Sequence, residues 1–502
     1  MTASPPLRYP AFLRQRYRMM AGLGGLIALV AGLVILSPLI LLVAYPAEAG
    51  AVPGFALPGL LLAGAGFAAW RWLAAGEPHT LTWQEGTVIL VVAWLLAILA
   101  GAVPFLAAGG LTPTQALFES TSGWTTAGLS VLDVEGASHL LLFYRSVIQL
   151  AGGAGFAIIA LSALAGPVGP GLALAEGREE QLLPHVRRSA QLVLTIYAAY
   201  VVAGVVALAL AGMDWFDAVN HAFAALSTGG FSTHAASLAY WDNPAVEAVT
   251  VVLMLLGTLN FVTAYTLLRG RVRAALRDSQ LRLTALLLVA GTMLLLAGFA
   301  PGTALSFGER LRGAIFDATS AMSTTGFATV AYDGWSDFGR YVLLLLMLVG
   351  GGAGSTAGGI KQYRVYVLVR GLAWELRRAL LPPRAVTEPD VWKGDGRRFI
   401  GDEHLRQVAL FVTLYLLVYL AGAGVLVAHG HTVGASLFEF ASALSTVGIT
   451  AGLTTPATPP PILWTEMAAM FLGRLEFFAV AVGLARLLRD VPALSTRQEA
   501  NT

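Results

Sequence analysis

The amino-acid sequence predicts an all-α polytopic membrane protein assembled from four similar repeats, and three observations lead to this prediction. The 502 residues are 57% hydrophobic and only 12% charged, with a mean hydropathy of +0.72, whereas soluble domains are about 25% charged. Apolar runs of about 20 residues, long enough to cross a bilayer core of ~30 Å, recur along the chain. A shorter block recurs between them in a fixed register.

The long apolar runs are predicted to be membrane-spanning helices. The first follows a short basic segment, Arg8 to Arg18, and is too long to be the apolar core of a cleaved signal peptide. We therefore expect a cytoplasmic tail before the first span. The candidate spans lie near 19–45, 54–72, 86–107, 140–164, 188–211, 244–267, 281–300, 338–369, 405–428 and 463–488.

Four shorter apolar stretches lie between these spans, near 114–127, 216–229, 314–325 and 436–447. At about 12 residues they are too short to cross a bilayer, and they suit re-entrant segments that enter and leave on the same side. Non-helical backbone at membrane depth must be shielded by protein or line a wet cavity. Each stretch is therefore predicted to be a short helix followed by a loop.

The four short stretches align without gaps. The aligned blocks run from Ala116 to Leu129, from Ala218 to Phe231, from Ala314 to Phe327 and from Ser436 to Ile449. Each block contains a threonine with a glycine two places later, and these pairs are Thr126 and Gly128, Thr228 and Gly230, Thr324 and Gly326, and Thr446 and Gly448. A block recurs roughly every 100 residues, which is the signature of an internal repeat.

The repeats divide the chain into predicted segments. Residues 1–78 hold the tail and two extra helices, and the repeats are 79–175, 176–276, 277–390 and 391–502. If the short segments face outward, most of the 31 Lys and Arg lie on the cytoplasmic side, as the positive-inside rule requires. We expect a multi-pass protein of the bacterial cytoplasmic membrane with both termini in the cytoplasm. Acids outnumber bases outside, and an acidic mouth concentrates cations.

Four Thr-x-Gly loops in matched context are typical of a cation filter. A dehydrated monovalent cation needs a ring of oxygen dipoles in place of its water. Glycine permits the backbone that points carbonyl groups inward, threonine adds a hydroxyl, and a short helix aims its partly negative C-terminus at the site. The alternative is that these small residues only pack helices closely. That explains single glycines but not a block that recurs in register.

These residues resemble the superfamily of potassium transporters that includes bacterial TrkH, bacterial KtrB and plant HKT proteins, over nearly the whole chain. The two extra N-terminal helices are similar to the TrkH branch, whereas the fourth loop looks more KtrB-like. The most specific motifs are Thr-Ser-Gly-Trp-Thr-Thr-Ala-Gly-Leu-Ser at 121–130, Ser-Thr-Gly-Gly-Phe-Ser-Thr at 227–233, Ser-Thr-Thr-Gly-Phe-Ala-Thr at 323–329, Gly-Gly-Gly-Ala-Gly-Ser-Thr-Ala-Gly-Gly-Ile-Lys at 350–361 and Gly-Arg-Leu-Glu at 473–476.

The resemblance implies a potassium-selective filter and a set of partners. The implied ion-binding residues are Thr126, Ala127, Gly128, Thr228, Gly229, Gly230, Thr324, Thr325, Gly326, Thr446, Val447 and Gly448. Plant relatives that favour sodium often have serine where this chain has Gly128, so potassium is favoured. The resemblance also implies a homodimer bound to a cytoplasmic ring of TrkA-like nucleotide-binding regulatory subunits. No cofactor and no nucleic acid partner are expected.

The span at 338–369 is interrupted by small residues alone: Gly350, Gly351, Gly352, Ala353, Gly354, Ser355, Thr356, Ala357, Gly358 and Gly359. This run is a poor helix, because each glycine costs up to about 1 kcal/mol relative to alanine. We interpret it, with Lys361, as a gate below the filter. A close-packing segment is the alternative. A nucleotide-binding P-loop is excluded, because Ile360 separates the glycines from Lys361 and no βαβ context surrounds them.

Arg474 lies within the last apolar run. A charge at membrane depth usually faces an internal cavity or a partner. We interpret Arg474 as an electrostatic barrier that works with the gate. The alternatives are an ion pair with an acid such as Glu476 and snorkelling to the membrane surface.

One position of the repeat is acidic in three of the four repeats. The residues there are Glu119, Asp317 and Glu439, with His221 as the fourth member. They either line an ion path or anchor the pore helices by hydrogen bonds. The anchoring role is favoured. The chain has no Cys, and no catalytic or metal-binding spacing argues for an enzyme. A carrier with inverted repeats is disfavoured, since these repeats all run in one direction. A sodium-permeable or Na+/H+-coupled transporter of the same fold remains the alternative function.

Overall fold

The computed structural model describes residues 9–73, 81–155, 186–302, 305–382, 388–393 and 396–495. It is 73% helix and 2% strand, which confirms the all-α prediction. The α-helices are α1 (Tyr9–Leu36), α2 (Val52–Leu73), α3 (Trp83–Gly101), α4 (Val103–Ala108), α5 (Pro113–Trp124), α6 (His139–Gly153), α7 (Val186–Leu210), α8 (Trp215–Leu226), α9 (Pro244–Thr258), α10 (Phe261–Leu268), α11 (Val272–Ala275), α12 (Ser279–Leu296), α13 (Phe307–Ser323), α14 (Asp337–Val349), α15 (Gln362–Ala379), α16 (Asp402–Ala428), α17 (Val433–Leu444), α18 (Pro460–Leu475) and α19 (Phe477–Ser495).

Within the described ranges, six helical stretches are long and apolar enough to cross a membrane, or up to eight if two bent pairs each form one span. The predicted span 140–164 corresponds to α6, and residues 156–164 lie outside the described residues. The predicted span 338–369 is divided, as expected, into α14 and α15.

Two predicted spans are wrong in being continuous. The first, 244–267, breaks between α9 and α10, which meet at 113°. Asn260 lies at the break, and its side chain accepts a 2.7 Å hydrogen bond from the Val262 amide, as an N-cap does. The second, 463–488, breaks between α18 and α19 at Glu476, which has a φ of +66°. Few non-glycine residues adopt this left-handed backbone.

The contacts divide the chain into two compact units. The first comprises the described parts of Met1–Pro104, Gly155–Leu192 and Leu475–Thr502. Its helices α1 and α2 pack through glycines, because a Cβ on Gly32 would lie 2.4 Å from the Ala63 amide nitrogen. Within this unit the Glu85 carboxylate of α3 forms ion pairs with Arg16 of α1 and Arg486 of α19.

The second unit, Phe105–Ala154 and Val193–Arg474, contains the four predicted short helices. They are α5, α8, α13 and α17, and each begins at a polar residue whose side chain accepts a hydrogen bond from the first turn. The four N-caps are Thr112, Asp214, Ser306 and Thr432.

A β-hairpin also belongs to the second unit and was not predicted. Strands β1 (Asp390–Lys393) and β2 (Gly396–Phe399) are antiparallel. Val391 packs with Val367 of α15 and Val408 of α16, which attaches the hairpin to the helices. A hydrogen bond from Arg397 lowers the pKa of the Asp390 carboxyl below its ordinary value.

Candidate functional site

All four predicted loops begin with a threonine in the left-handed backbone region. The φ angles are +57° at Thr126, +52° at Thr228, +57° at Thr324 and +52° at Thr446. This region costs an L-residue about 1–2 kcal/mol, and β-branched residues adopt it rarely. The same strained conformation recurs at four aligned positions, so the surrounding structure must stabilise it.

Each threonine ends a short helix in the same way. The amide of the residue after it bonds back to a carbonyl five residues earlier, which is the helix-ending bond of a Schellman motif. The bonds are Ala127 to Ser122 (2.8 Å), Gly229 to Ala224 (2.8 Å), Thr325 to Ser320 (3.0 Å) and Val447 to Ser442 (2.9 Å). The C-termini of α5, α8, α13 and α17 therefore all lead into loops of one geometry.

The glycine two places after each threonine lies against the next loop. A Cβ on Gly128 would lie 2.4 Å from the Gly229 oxygen, one on Gly230 1.9 Å from the Thr325 oxygen, one on Gly326 1.8 Å from the Val447 oxygen, and one on Gly448 2.7 Å from the Ala127 oxygen. The first loop therefore contacts the second, the second contacts the third, the third contacts the fourth, and the fourth contacts the first. The twelve predicted filter residues thus form one closed ring of loops.

The ring offers oxygen atoms that suit a cation. The second carbonyl of every loop lies at the contact with its neighbour, as the distances above show. The hydroxyls of Thr126 and Thr446 are buried and have no hydrogen-bond partner among the described residues. Buried hydroxyls without a partner are costly, and a dehydrated cation would satisfy them. The arrangement can therefore replace the water around a monovalent cation and bind the dehydrated ion.

The residues at the shared acidic position anchor the loops. Each contacts the backbone or side chain of the segment that follows its own filter residues: Glu119 Oε1 is 3.0 Å from the Leu132 amide, Asp317 Oδ1 is 3.1 Å from the Thr329 amide, Glu439 Oε1 is 3.1 Å from the Thr454 amide and His221 Nε2 is 3.0 Å from Ser232 Oγ. The anchoring interpretation is confirmed.

The predicted gate segment is an irregular loop between α14 and α15. Its backbone is tied to the break between α9 and α10: Asn260 Nδ2 donates to the Ala353 oxygen (2.6 Å), and the Gly352 amide donates to the Thr258 oxygen (3.2 Å). Lys361 lies beyond the loop at the start of α15, where its amide donates to the Val349 oxygen (3.0 Å).

The same loop reaches the threonines of the ring. The Gly358 amide donates to Thr324 Oγ1 (2.8 Å), and Thr356 Oγ1 lies 3.2 Å from Thr228 Oγ1. A Cβ on Gly358 would lie 2.3 Å from Thr446 Oγ1. Three of the four filter threonines are therefore in contact with one loop.

Arg474, near the end of α18, holds this loop from another side. Its guanidinium donates to the Thr356 oxygen (2.6 Å) and to the Gly152 oxygen at the end of α6 (2.5 Å). The guanidinium of Arg474 therefore bridges the loop between α14 and α15 and the end of α6.

Two groups at the site were not predicted. Gln280 of α12 accepts from the Ala353 amide (2.7 Å), and Gln149 of α6 contacts the second filter loop. Gln149 lies in a predicted membrane span and Gln280 directly precedes one, and a polar side chain at such a position was the available signal.

The chain resembles known cation transport proteins over most of its length. Residues 64–490 match the family of TrkH, described as a cation transport protein. An uncharacterized cation transporter of Methanocaldococcus jannaschii is 30% identical over 93% of this chain and 94% of its own. The Trk system potassium uptake protein TrkH of Escherichia coli K12 is 32% identical over 82% of this chain and 87% of its own. The crystal structure of the potassium transporter TrkH from Vibrio parahaemolyticus superposes with a TM-score of 0.79 at 29% identity, covering 93% of this chain and 98% of that one.

Proposed function

The chain belongs to the TrkH family of cation transport proteins, and from this premise and the loop geometry we propose that it takes up potassium through a selective pore. It is a multi-pass membrane protein. The proposed selective element is the ring of Thr-x-Gly loops, and the proposed location is the bacterial cytoplasmic membrane with both termini in the cytoplasm.

The closed ring is the observation that carries this proposal. Four helix C-termini, each partly negative, lead into loops whose glycines permit contact between neighbours at distances that no side chain tolerates. Carbonyl rings of this kind replace the hydration shell of an ion. Relatives named as potassium uptake proteins support potassium as the ion carried.

The proposed gate is the loop from Gly350 to Gly359. It contacts Thr228 and Thr324 from the side where Arg474 also lies, so in this conformation it obstructs the ion path below the ring. Displacement of the loop would open that path. The positive charge of Arg474 lowers cation occupancy there, which adds an electrostatic barrier to the steric one.

The proposed assembly is a homodimer that binds a cytoplasmic ring of TrkA-like regulatory subunits. The hairpin of β1 and β2 lies against α15, where Arg370 of α15 and Arg397 of β2 both pair with Asp390 of β1. Because α15 follows the gate loop directly, a partner bound here would be coupled to the gate.

Flux measurements on the purified protein in liposomes test the proposed function. Potassium flux down its gradient is expected to exceed sodium flux, and the chain is expected to restore growth at low potassium in a strain without its own uptake systems. Gly128→Ser, whose Cβ would lie 2.4 Å from the Gly229 oxygen, is expected to push the first two loops apart, so that potassium flux falls and the ratio of potassium to sodium flux falls with it. Equal fluxes of both ions in the unmodified protein would instead favour the sodium-permeable alternative, and absence of any cation flux would contradict the proposal.

A further inference from the structure

The second loop of the ring differs from the others at its middle position. The middle residues of the other loops, Ala127, Thr325 and Val447, are fully buried, so their side chains pack behind the ring. The second loop has Gly229 there, with no side chain to occupy that space. This position does not require glycine for its backbone, because its φ is not among the positive values.

Gln149 of α6 occupies the space behind Gly229. A Cβ built on Gly229 would lie 2.4 Å from Cδ of Gln149, so a side chain at 229 and the amide of Gln149 exclude each other. Gln149 is fully buried. A side chain from the first repeat therefore fills the place that a loop's own side chain takes elsewhere.

The Gln149 amide also bonds to the second loop on both sides of Gly230. Its Nε2 donates to the Gly229 oxygen (2.6 Å), and its Oε1 accepts from the Phe231 amide (3.1 Å). A primary amide can donate and accept at once, and here it pairs with two backbone groups as a neighbouring strand would. The Gly229 carbonyl is one of the four that lie at the contacts of the ring.

Arg145, one helical turn before Gln149, holds the continuation of the same loop. Its Nη1 donates to the Ser232 oxygen (3.0 Å) and its Nη2 to Ser130 Oγ in the first loop (2.9 Å). The guanidinium lies 3.9 Å from the centre of the Phe231 ring. Together the two side chains of α6 contact the second loop from residue 229 to residue 232.

The equivalent helices carry an apolar residue at this position. Gly152 of α6 lies against the end of α5, Gly257 of α9 against the end of α8, and Gly473 of α18 against the end of α17. Three residues before these glycines stand Gln149, Met254 and Met470. All three side chains are fully buried. The first repeat therefore has an amide side chain where the second and fourth have methionine. This amide lies beside the one loop whose middle residue is glycine.

We infer that Gln149 is a positioning residue for ion selectivity, which fixes the direction of the Gly229 carbonyl and so completes the ring. This inference rests on the proposed function. The selectivity of such a ring depends on the number and placement of its dipoles. With the amide removed, the Gly229 carbonyl has neither its hydrogen bond nor the packing that holds its loop, and the second quadrant becomes wider and less regular.

The test compares Gln149→Met, which gives the first repeat the residue of the second and fourth repeats, with Met254→Leu as the matched control. Each protein is purified, placed in liposomes, and measured for the ratio of potassium to sodium flux and for its melting temperature. Gln149→Leu, similar in shape and without polar atoms, is the second variant. The expected result is a fall of about threefold to tenfold in the flux ratio for both Gln149 variants, the size of one lost hydrogen bond, and no fall for Met254→Leu.

A flux ratio unchanged in a folded Gln149→Met or Gln149→Leu protein would overturn the inference. An equal fall in Met254→Leu would overturn it too, because any change behind the ring would then have the same effect. Absence of potassium flux in the unmodified protein would contradict the proposed function instead, so the two failures are distinguishable. A purely structural role would lower the melting temperature without changing the flux ratio.

Discussion

The guanidinium of Arg474 and the carbonyl of Thr356 are joined by a 2.6 Å hydrogen bond, and the hydroxyl of the same Thr356 lies 3.2 Å from that of Thr228. Thr356 of the loop between α14 and α15 thus contacts both the guanidinium of Arg474 in α18 and the hydroxyl of Thr228 in the ring. Hydrogen bonds to charged groups contribute about 1.5–3 kcal/mol, so this contact is strong enough to decide where the loop lies.

Replacing Arg474 with alanine should raise potassium flux. The change removes two hydrogen bonds from the loop and its neighbour, and it removes a positive charge from the ion path. We expect an increase of about tenfold, the equivalent of ~1.4 kcal/mol, in liposome flux without any regulatory subunit. Arg340→Ala, in the first turn of α14 where Arg340 pairs with Asp337, is the control. Unchanged flux in well-folded Arg474→Ala would remove the gating role.

Gly326→Ala should abolish transport. The new Cβ would lie 1.8 Å from the Val447 oxygen, at a φ of +88°, so the third and fourth loops must move apart. Gly434→Ala is the matched control, because a Cβ there meets nothing within 4 Å and its φ is not positive. Growth at low potassium measures both. Normal growth with Gly326→Ala would contradict the closed ring.

Two valine substitutions should separate the roles of the filter threonines. Thr324 Oγ1 accepts from the Gly358 amide, so Thr324→Val leaves that buried amide unpaired and should lower the free energy of unfolding by about 1–3 kcal/mol. The Thr126 hydroxyl has no partner among the described residues. Thr126→Val should therefore keep stability and weaken potassium affinity. Melting temperature and the concentration dependence of flux measure the two effects, and equal destabilisation by both variants would contradict this assignment.

Asn260→Leu should loosen the gate, whereas Asn243→Leu should not. Both asparagines cap a helix, α10 and α9 respectively, so each variant loses about 1 kcal/mol of helix stability. Only Asn260 also donates to the gate loop, at the Ala353 oxygen. We expect higher flux without regulatory subunits for Asn260→Leu alone. An equal rise in both variants would mean that helix capping, and not the loop contact, is responsible.

Much of this architecture could be predicted from the sequence, because its main elements are local. Apolar length identifies the long helices, and the repeated block identifies the aligned positions of Thr126 and its equivalents. The left-handed backbone of the four threonines was not predicted, because glycine is the residue that favours this conformation. The irregular loop between α14 and α15 was predictable because six of the ten residues 350–359 are glycine, and each costs up to about 1 kcal/mol relative to alanine in a helix.

What the sequence did not predict depends on contacts between distant residues. The break at Asn260 follows from its hydrogen bond to Ala353, 93 residues further on, although an asparagine within an apolar run was a visible N-cap signal. The role of Gln149 was not predicted because its partner Gly229 lies 80 residues away in the chain. The hairpin of β1 and β2 is short, and its strands gain their stability from α15 and α16.

The four loops of the ring belong to one polypeptide chain, and this has a genetic consequence. In a pore made of four identical subunits, one mutation alters every quadrant at once. Here one codon alters one loop and its contacts with its neighbours, and the other three loops keep their residues. The middle positions have already diverged to Ala127, Gly229, Thr325 and Val447. If the ring is the proposed filter, its ion preference can change one loop at a time over evolutionary time, with each loop under its own selection.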